Sequence, residues 1–158
     1  MNKIIISSIR TVLNDFDDEG ISFVLCTSND NICFPDRENI LLLKFIDSED
    51  AHHPFAFNTK LAERIKHFLL SIPDMNDLFI CCDNGESRSS AIAAAILLST
   101  NQSDSDVWDC IEYHPNIHVF RTLCKVLEIS LSDEDITERK RINDKKLHNH
   151  IEKLRESV

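Results

Sequence analysis

Residues 78–99, LFICCDNGESRSSAIAAAILLS, decide the fold of this chain. The first four are apolar and β-prone, which predicts a buried strand. A tight loop follows from Cys82 to Arg88, and from Ser89 to Ser99 the alanine-rich sequence predicts a helix that can approach a sheet closely. In α/β folds, the carboxyl end of a strand facing a helix N-terminus is where ligands bind. The sequence therefore predicts that this loop binds a ligand.

Apolar runs elsewhere complete the predicted sheet, and their near-continuous apolarity is typical of strands covered on both faces. Helices are predicted between and after them, including a short one that ends before a left-handed Gly20 and one that opens with a capping box at Ser103 and Asp106. The predicted strands cover 4–6, 23–26, 40–45 and 78–81; the predicted helices cover 10–16, 58–71, 89–99, 103–111, 115–127 and 133–156. We expect an α/β fold with a central, mainly parallel sheet of four to five strands flanked by helices.

The chain divides by charge into a body, residues 1–130, and a charged helical extension of the same domain, residues 131–158. Net charge is −10, and because the extension has seven bases and seven acids, the body holds all of the excess. Such a body disfavours nucleic acid and anionic membranes. The longest apolar run, 91–98, is too short to cross a bilayer. With six cysteines and no secretory leader, we expect a reduced, cytoplasmic protein.

The loop combines four residue types at fixed offsets. Cys82 precedes a helix N-terminus, where the helix dipole and loop amides stabilise a thiolate nucleophile. Arg88 can grip two oxygens of a phosphate through its planar fork, and Gly85 leaves room for backbone N–H groups to point inward. The Ser89 hydroxyl can hydrogen-bond the cysteine sulfur when sulfur acts as a leaving group. The pattern indicates phosphoryl chemistry.

Residues 82–89, CDNGESRS, resemble the C-x5-R-[ST] signature of the cysteine-dependent protein tyrosine phosphatases. In order and size the chain is similar to their small, dual-specificity-like members from about Ile4 to Ile129. The resemblance implies a metal-free, cofactor-free mechanism in which Cys82 attacks phosphorus, Arg88 and the loop amides stabilise the transferring group, and Ser89 assists thiolate release. The amides it implies belong to Asp83, Asn84, Gly85, Glu86, Ser87 and Arg88.

The family also implies an aspartic acid on a movable loop, about 30 to 35 residues before the cysteine, as general acid. Asp47 lies 35 residues ahead of Cys82 and Asp50 lies 32 ahead. Both remain candidates, and we favour Asp47 because it follows the third predicted strand directly. His52 and His53 have no third ligand nearby, so no metal site is expected.

Two departures from the family pattern bear on the substrate. Cys81 stands where the family usually has histidine, and we expect it to be a core residue rather than a redox partner. Asp83 and Glu86 place two carboxylates in the loop, with side chains expected to point outward. This acidity disfavours polyanionic substrates such as inositide lipids.

The sequence therefore predicts a phosphomonoester hydrolase acting on phosphorylated protein side chains or small phosphoesters. It leaves open whether the substrate is phosphotyrosine or phosphoserine/threonine. Two alternatives remain: an inert phosphate-binding module, and a sulfurtransferase, because rhodanese-like domains also place a cysteine in such a loop. The C-terminal helix is expected to pack against the body, with self-association as the alternative.

Overall fold

The computed structural model describes residues 1–12 and 19–156. It contains one four-stranded sheet in the order β1-β4-β2-β3, and every neighbouring pair is parallel. The strands are β1 (Ile4–Ser8), β2 (Ile21–Thr27), β3 (Ile40–Lys44) and β4 (Asp77–Cys82). The prediction of a mainly parallel α/β sheet is confirmed, with the strand that precedes the loop in the interior of the sheet.

Six helices surround this sheet within the described residues: α1 (Ile9–Val12), α2 (Thr59–Ser71), α3 (Arg88–Ser99), α4 (Ser105–Asp109), α5 (Ile117–Val126) and α6 (Asp133–Glu156). Residues 13–16 of the predicted first helix lie outside the described residues. Gly20 has the predicted positive φ, +80°, in the turn before β2, but the helix end it was expected to cap also lies outside them. None of the helices in the described part of the chain is long and apolar enough to cross a membrane.

The larger core fills one face of the sheet, where α3 is buried along most of its length because its alanines let it lie close to the strands. Helices α2 and α5 complete this layer. A smaller core on the opposite face gathers α1 around the other side chains of β2 and β4. Cys82 therefore ends an interior strand, directly below the N-terminus of α3.

The first half of α6 packs against α4 and α5. Arg139 pairs with buried Asp104 at 2.7 Å, and Asp104 also accepts a 2.8 Å hydrogen bond from the Trp108 indole. The predicted capping box is wrong. Helix α4 begins at Ser105 with Asp104 rather than Ser103 at the N-cap position, and Ser103 accepts from the Ser105 N–H at its entry.

Candidate active site

Cys82 lies at the bottom of the loop and is 2% exposed. Its Sγ is 3.2 Å from the Ser89 hydroxyl and accepts a hydrogen bond from the Gly85 N–H at 3.3 Å. The sulfur therefore lies within hydrogen-bond distance of one backbone N–H and one hydroxyl. Ser89, the second residue of α3, lies beside the sulfur, where the sequence predicted it.

The carbonyls of Glu86 and Ser87, at the end of the loop, are hydrogen-bonded to groups that follow the loop in the chain. The Glu86 carbonyl accepts from His114 N–H at 3.1 Å and from the Ser90 hydroxyl, and the Ser87 carbonyl accepts from Asn116 N–H at 3.3 Å. In a trans peptide the N–H points opposite to the C=O of the same unit. The N–H groups of Ser87 and Arg88 are therefore turned to the other side, and as the first amides of α3 they have no partner within the helix. Two unpartnered amides at a helix N-terminus can bind an anion.

Gly85 is required because of the neighbouring strand β1, and not only because its small size leaves room for inward-pointing N–H groups. Its φ is +81°, and a Cβ at this position would lie 2.7 Å from the Ser7 carbonyl carbon and 2.8 Å from the Ser8 nitrogen. The side chain is therefore excluded by the backbone of β1 as well as by the backbone conformation. Gly85 seats the loop against the neighbouring strand, and this contact fixes the amide that reaches the sulfur.

Arg88 reaches across the carboxyl ends of β4, β2 and β3. Its Nη1 donates to the Phe45 carbonyl at 2.9 Å, its Nη2 donates to Asp83 Oδ2 at 2.6 Å, and its guanidinium carbon lies 5.7 Å from the centre of the Phe45 ring. The side chain is 5% exposed, and Nε has no hydrogen-bond partner among the described residues. A buried N–H without an acceptor is costly, so this Nε edge of the fork is suited to an anion.

The sequence predicts that the Asp83 carboxylate points outward, but in the structure it lies against Arg88 and the end of β2. It bonds Arg88 and also accepts from Thr27 Oγ1 at 2.7 Å and from Ser28 Oγ at 3.2 Å, because β2 ends beside it. Burial acts to raise the pKa of Asp83, but the hydrogen bonds from Thr27 and Arg88 outweigh it and hold the pKa below its ordinary value. Asp83 is therefore a charged anchor for the arginine.

The structure brings Asp47 to the loop and leaves Asp50 apart from it. Asp47 Oδ1 accepts from Ser87 Oγ at 2.9 Å and from Asn116 Nδ2 at 2.7 Å. Asp50 Oδ1 instead accepts from the His52 N–H at 2.9 Å within its own turn. Both donors to Asp47 among the described residues use Oδ1, so Oδ2 is the oxygen available to a ligand.

Cys81 and Cys82 face opposite sides of the sheet, as successive strand residues must. Cys81 belongs to the smaller core, and its burial raises its pKa to about 12. Cys82 belongs to the larger core, where its register partner Cys26 is also buried. All six cysteines are free thiols. Within 1–12 and 19–156, no group of three or more His, Cys, Asp or Glu side chains is placed to hold a metal ion.

Sequence reasoning missed the residues that support the site from other segments: Thr27, Ser28, Phe45 and Asn116. Thr27 and Phe45 end or follow predicted strands, so the meeting of parallel strand ends at one sheet edge was a usable signal for them. Asn116 was recognised only as part of a helix start. Its Oδ1 does cap α5 through Val119 N–H, but nothing in the sequence indicates that its amide nitrogen also reaches Asp47.

No protein-family model matches the chain, and no curated protein matches it in sequence. Solved structures similar to it include two of PTPMT1. The crystal structure of PTPMT1 in complex with PI(5)P is 15% identical with a TM-score of 0.47, over 87% of this chain and 94% of that one. A crystal structure of PTPMT1 alone is 14% identical with a TM-score of 0.45, over 95% of each chain. Such low identity says nothing about chemistry, which rests on this chain's own residues.

Proposed function

We propose that this protein hydrolyses phosphate monoesters through a cysteinyl-phosphate on Cys82. The observation that carries the proposal is the joint placement of three groups around one loop. They are a sulfur in contact with the Ser89 hydroxyl and the Gly85 N–H, a buried arginine whose Nε has no partner among the described residues, and the Asp47 carboxyl, which bonds the Ser87 side chain of the loop. The resemblance of residues 82–89 to the C-x5-R-[ST] signature supports the same chemistry.

In the first step, the Cys82 thiolate attacks phosphorus, so that an S–P bond forms as the P–O bond to the leaving group breaks. The nonbridging oxygens are held by the Arg88 Nε edge and by the N–H groups of the loop. Asp47, protonated on Oδ2, gives its proton to the leaving oxygen, which departs as an alcohol or phenol.

In the second step, water attacks the phosphoryl group and the S–P bond breaks. Asp47, now a carboxylate, takes the proton from water, and the electron pair returns to Cys82 as a thiolate. The Ser89 hydroxyl and the Gly85 N–H already contact that sulfur and stabilise the leaving charge. This chemistry needs a free thiol, so we place the protein in a reducing compartment such as the cytoplasm.

The test is hydrolysis of p-nitrophenyl phosphate by reduced protein in the presence of a chelator. We expect turnover by the wild type and by Cys81→Ala, and none by Cys82→Ser. Cys81→Ala is the matched control because it removes the adjacent thiol from the opposite face of the sheet. Turnover by Cys82→Ser, or turnover that disappears with chelator, would overturn the proposal.

One observation favours a second candidate, an inert phosphate-binding module. Asp83 already bonds Nη2 of the arginine that must bind phosphate, which makes the loop less electropositive. Calorimetry with inorganic phosphate and the same turnover assay separate the two. Phosphate binding without turnover by the wild type favours the inert module, and turnover rules it out.

A further inference from the structure

Two adjacent open cavities lie beside the nucleophile loop, along one edge of the sheet. Their volumes are about 420 and 550 Å³, and both are lined by Ile6 and Tyr113. The first includes Gly85 and Glu86 of the loop, and the second continues beside β1 to α3 and α4. We call these two cavities together the β1 groove. Its continuity with the loop makes it a path for a substrate that extends beyond its phosphate.

The wall of the β1 groove is an edge strand. Among the described residues β1 pairs only with β4, and Leu78 N–H donates to the Lys3 carbonyl at 2.7 Å. Because alternate residues of a parallel ladder bond the same neighbour, the N–H and C=O groups of Ile4 and Ile6 point away from β4. Both residues line the groove. An extended polypeptide can therefore add to β1 as a further strand.

The charge of the groove selects the kind of polypeptide. Glu86 and Glu112 line its first part and Asp106 lines its second, whereas no lysine or arginine lines either part. Asp106 and Glu112 are exposed and form no ion pair within 1–12 and 19–156. Carboxylates without partners beside a peptide path favour lysine and arginine in the peptide.

The direction of β1 brings such a peptide to the nucleophile. Ser8, at the end of β1, is the register partner of Cys82. A strand added to the outer side of β1 lies two strand spacings, about 10 Å, from the backbone of Cys82. A peptide paired with β1 therefore passes beside the loop that carries Cys82.

We propose that the β1 groove binds an extended phosphopeptide flanked by lysine or arginine, which pairs with the free edge of β1. The inference rests on the proposed function and adds its substrate class: a basic phosphorylated polypeptide rather than a polyanionic lipid headgroup. The nucleophile loop and Arg88 then bind the phosphate, and the β1 groove binds the peptide residues on either side of it.

The experiment compares kcat/KM for two phosphotyrosine peptides that differ only in flanking residues, one lysine-rich and one glutamate-rich. Variants Glu112→Lys and Asp106→Lys change the groove, and Glu134→Lys makes the same charge change on α6, outside it. We expect the wild type to prefer the basic peptide at least about tenfold. Each groove variant should lose most of that preference and keep its activity on p-nitrophenyl phosphate, while Glu134→Lys keeps both.

The outcomes distinguish a failure of the groove proposal from a failure of the proposed hydrolysis. Hydrolysis of p-nitrophenyl phosphate with equal use of both peptides overturns the groove and leaves the proposed function standing. The groove is also overturned if phosphoinositide vesicles are better substrates than the basic peptide. If no substrate is hydrolysed, anisotropy measures peptide binding: Glu112-dependent binding of the basic peptide supports the groove, and binding indifferent to Glu112 overturns it.

Discussion

Asp47 Oδ1 lies 2.7 Å from Asn116 Nδ2, so one buried amide joins the candidate acid to the start of α5. Asn116 is 3% exposed, and its Oδ1 accepts the Val119 N–H at 3.0 Å. Its Oδ1 therefore caps α5, whereas its Nδ2 bonds the candidate acid. The backbone N–H of Asn116 also bonds the Ser87 carbonyl, so the same residue touches the nucleophile loop.

We predict that Asn116→Ser lowers kcat about tenfold with little change in KM, because serine can cap α5 but is too short to orient Asp47. The free energy of unfolding should change by less than about 1 kcal/mol. Asn58 is the matched control, since its side chain caps α2 through Leu61 N–H in the same way. If Asn58→Ser lowers kcat as much, or if Asn116→Ser raises KM alone, Asn116 does not position the acid.

Asp47→Asn should lower kcat by about 10² to 10⁴, the usual worth of a general acid. The loss should be greater for phenyl phosphate than for p-nitrophenyl phosphate, because the more basic phenolate depends more on receiving a proton. Asp50→Asn is the control, because asparagine keeps the oxygen that accepts the His52 N–H. A large loss in Asp50→Asn with none in Asp47→Asn would transfer the role to Asp50.

The two glycines of the chain make a matched pair for the seating of the loop. Both have positive φ, but a Cβ at Gly20 meets nothing within 4 Å, whereas one at Gly85 meets the backbone of β1. Urea unfolding should show a loss of about 1 to 2 kcal/mol for Gly20→Ala, from the backbone conformation alone. Gly85→Ala should cost at least about 2 kcal/mol more, from overpacking. Equal losses would show that the loop is not wedged against β1.

Asp83→Asn should destabilise the protein in a pH-dependent way. The pKa of Asp83 is lowered in the folded state, so its contribution is present above the unfolded value of about 3.9 and is lost as pH falls through the folded value. The expected gap between wild type and variant is about 1 kcal/mol at pH 7, because the carboxylate is partly solvated. Unfolding curves at pH 7 and pH 3 measure it. A gap that is the same at both pH values contradicts the anchoring role.

Much of the fold follows from local patterns in the sequence. The apolar runs of β2 and β4 and the alanines of α3 require burial on both sides of a sheet, and the Asn58 cap and Pro73 bound α2. The capping box predicted at Ser103 does not form: Asp104 takes the N-cap position, and its carboxylate pairs with Arg139, a residue 35 positions away. Local sequence cannot indicate a partner at that distance.

The candidate site also has one part that local sequence predicts and another that depends on tertiary contacts. Cys82, Gly85 and Ser89 lie in one continuous segment, so spacing alone places them together. The orientation of Arg88 could not be predicted, because it depends on where β2 and β3 end and on the carboxylate that β2 holds beside it. Two aspartates at suitable spacing also looked alike in sequence, and tertiary contacts with Ser87 and Asn116 distinguish them.

The most direct test of the proposed chemistry is to trap the intermediate. Wild-type protein is mixed with p-nitrophenyl phosphate, quenched in acid during turnover, digested and examined by mass spectrometry. Asp47→Asn is treated in parallel, because this leaving group departs without a proton while hydrolysis of the intermediate still needs the base, so the intermediate should accumulate. We predict one phosphate on the peptide that contains Cys82. Turnover with no phosphate on Cys82, or with phosphate on another residue, would contradict the mechanism.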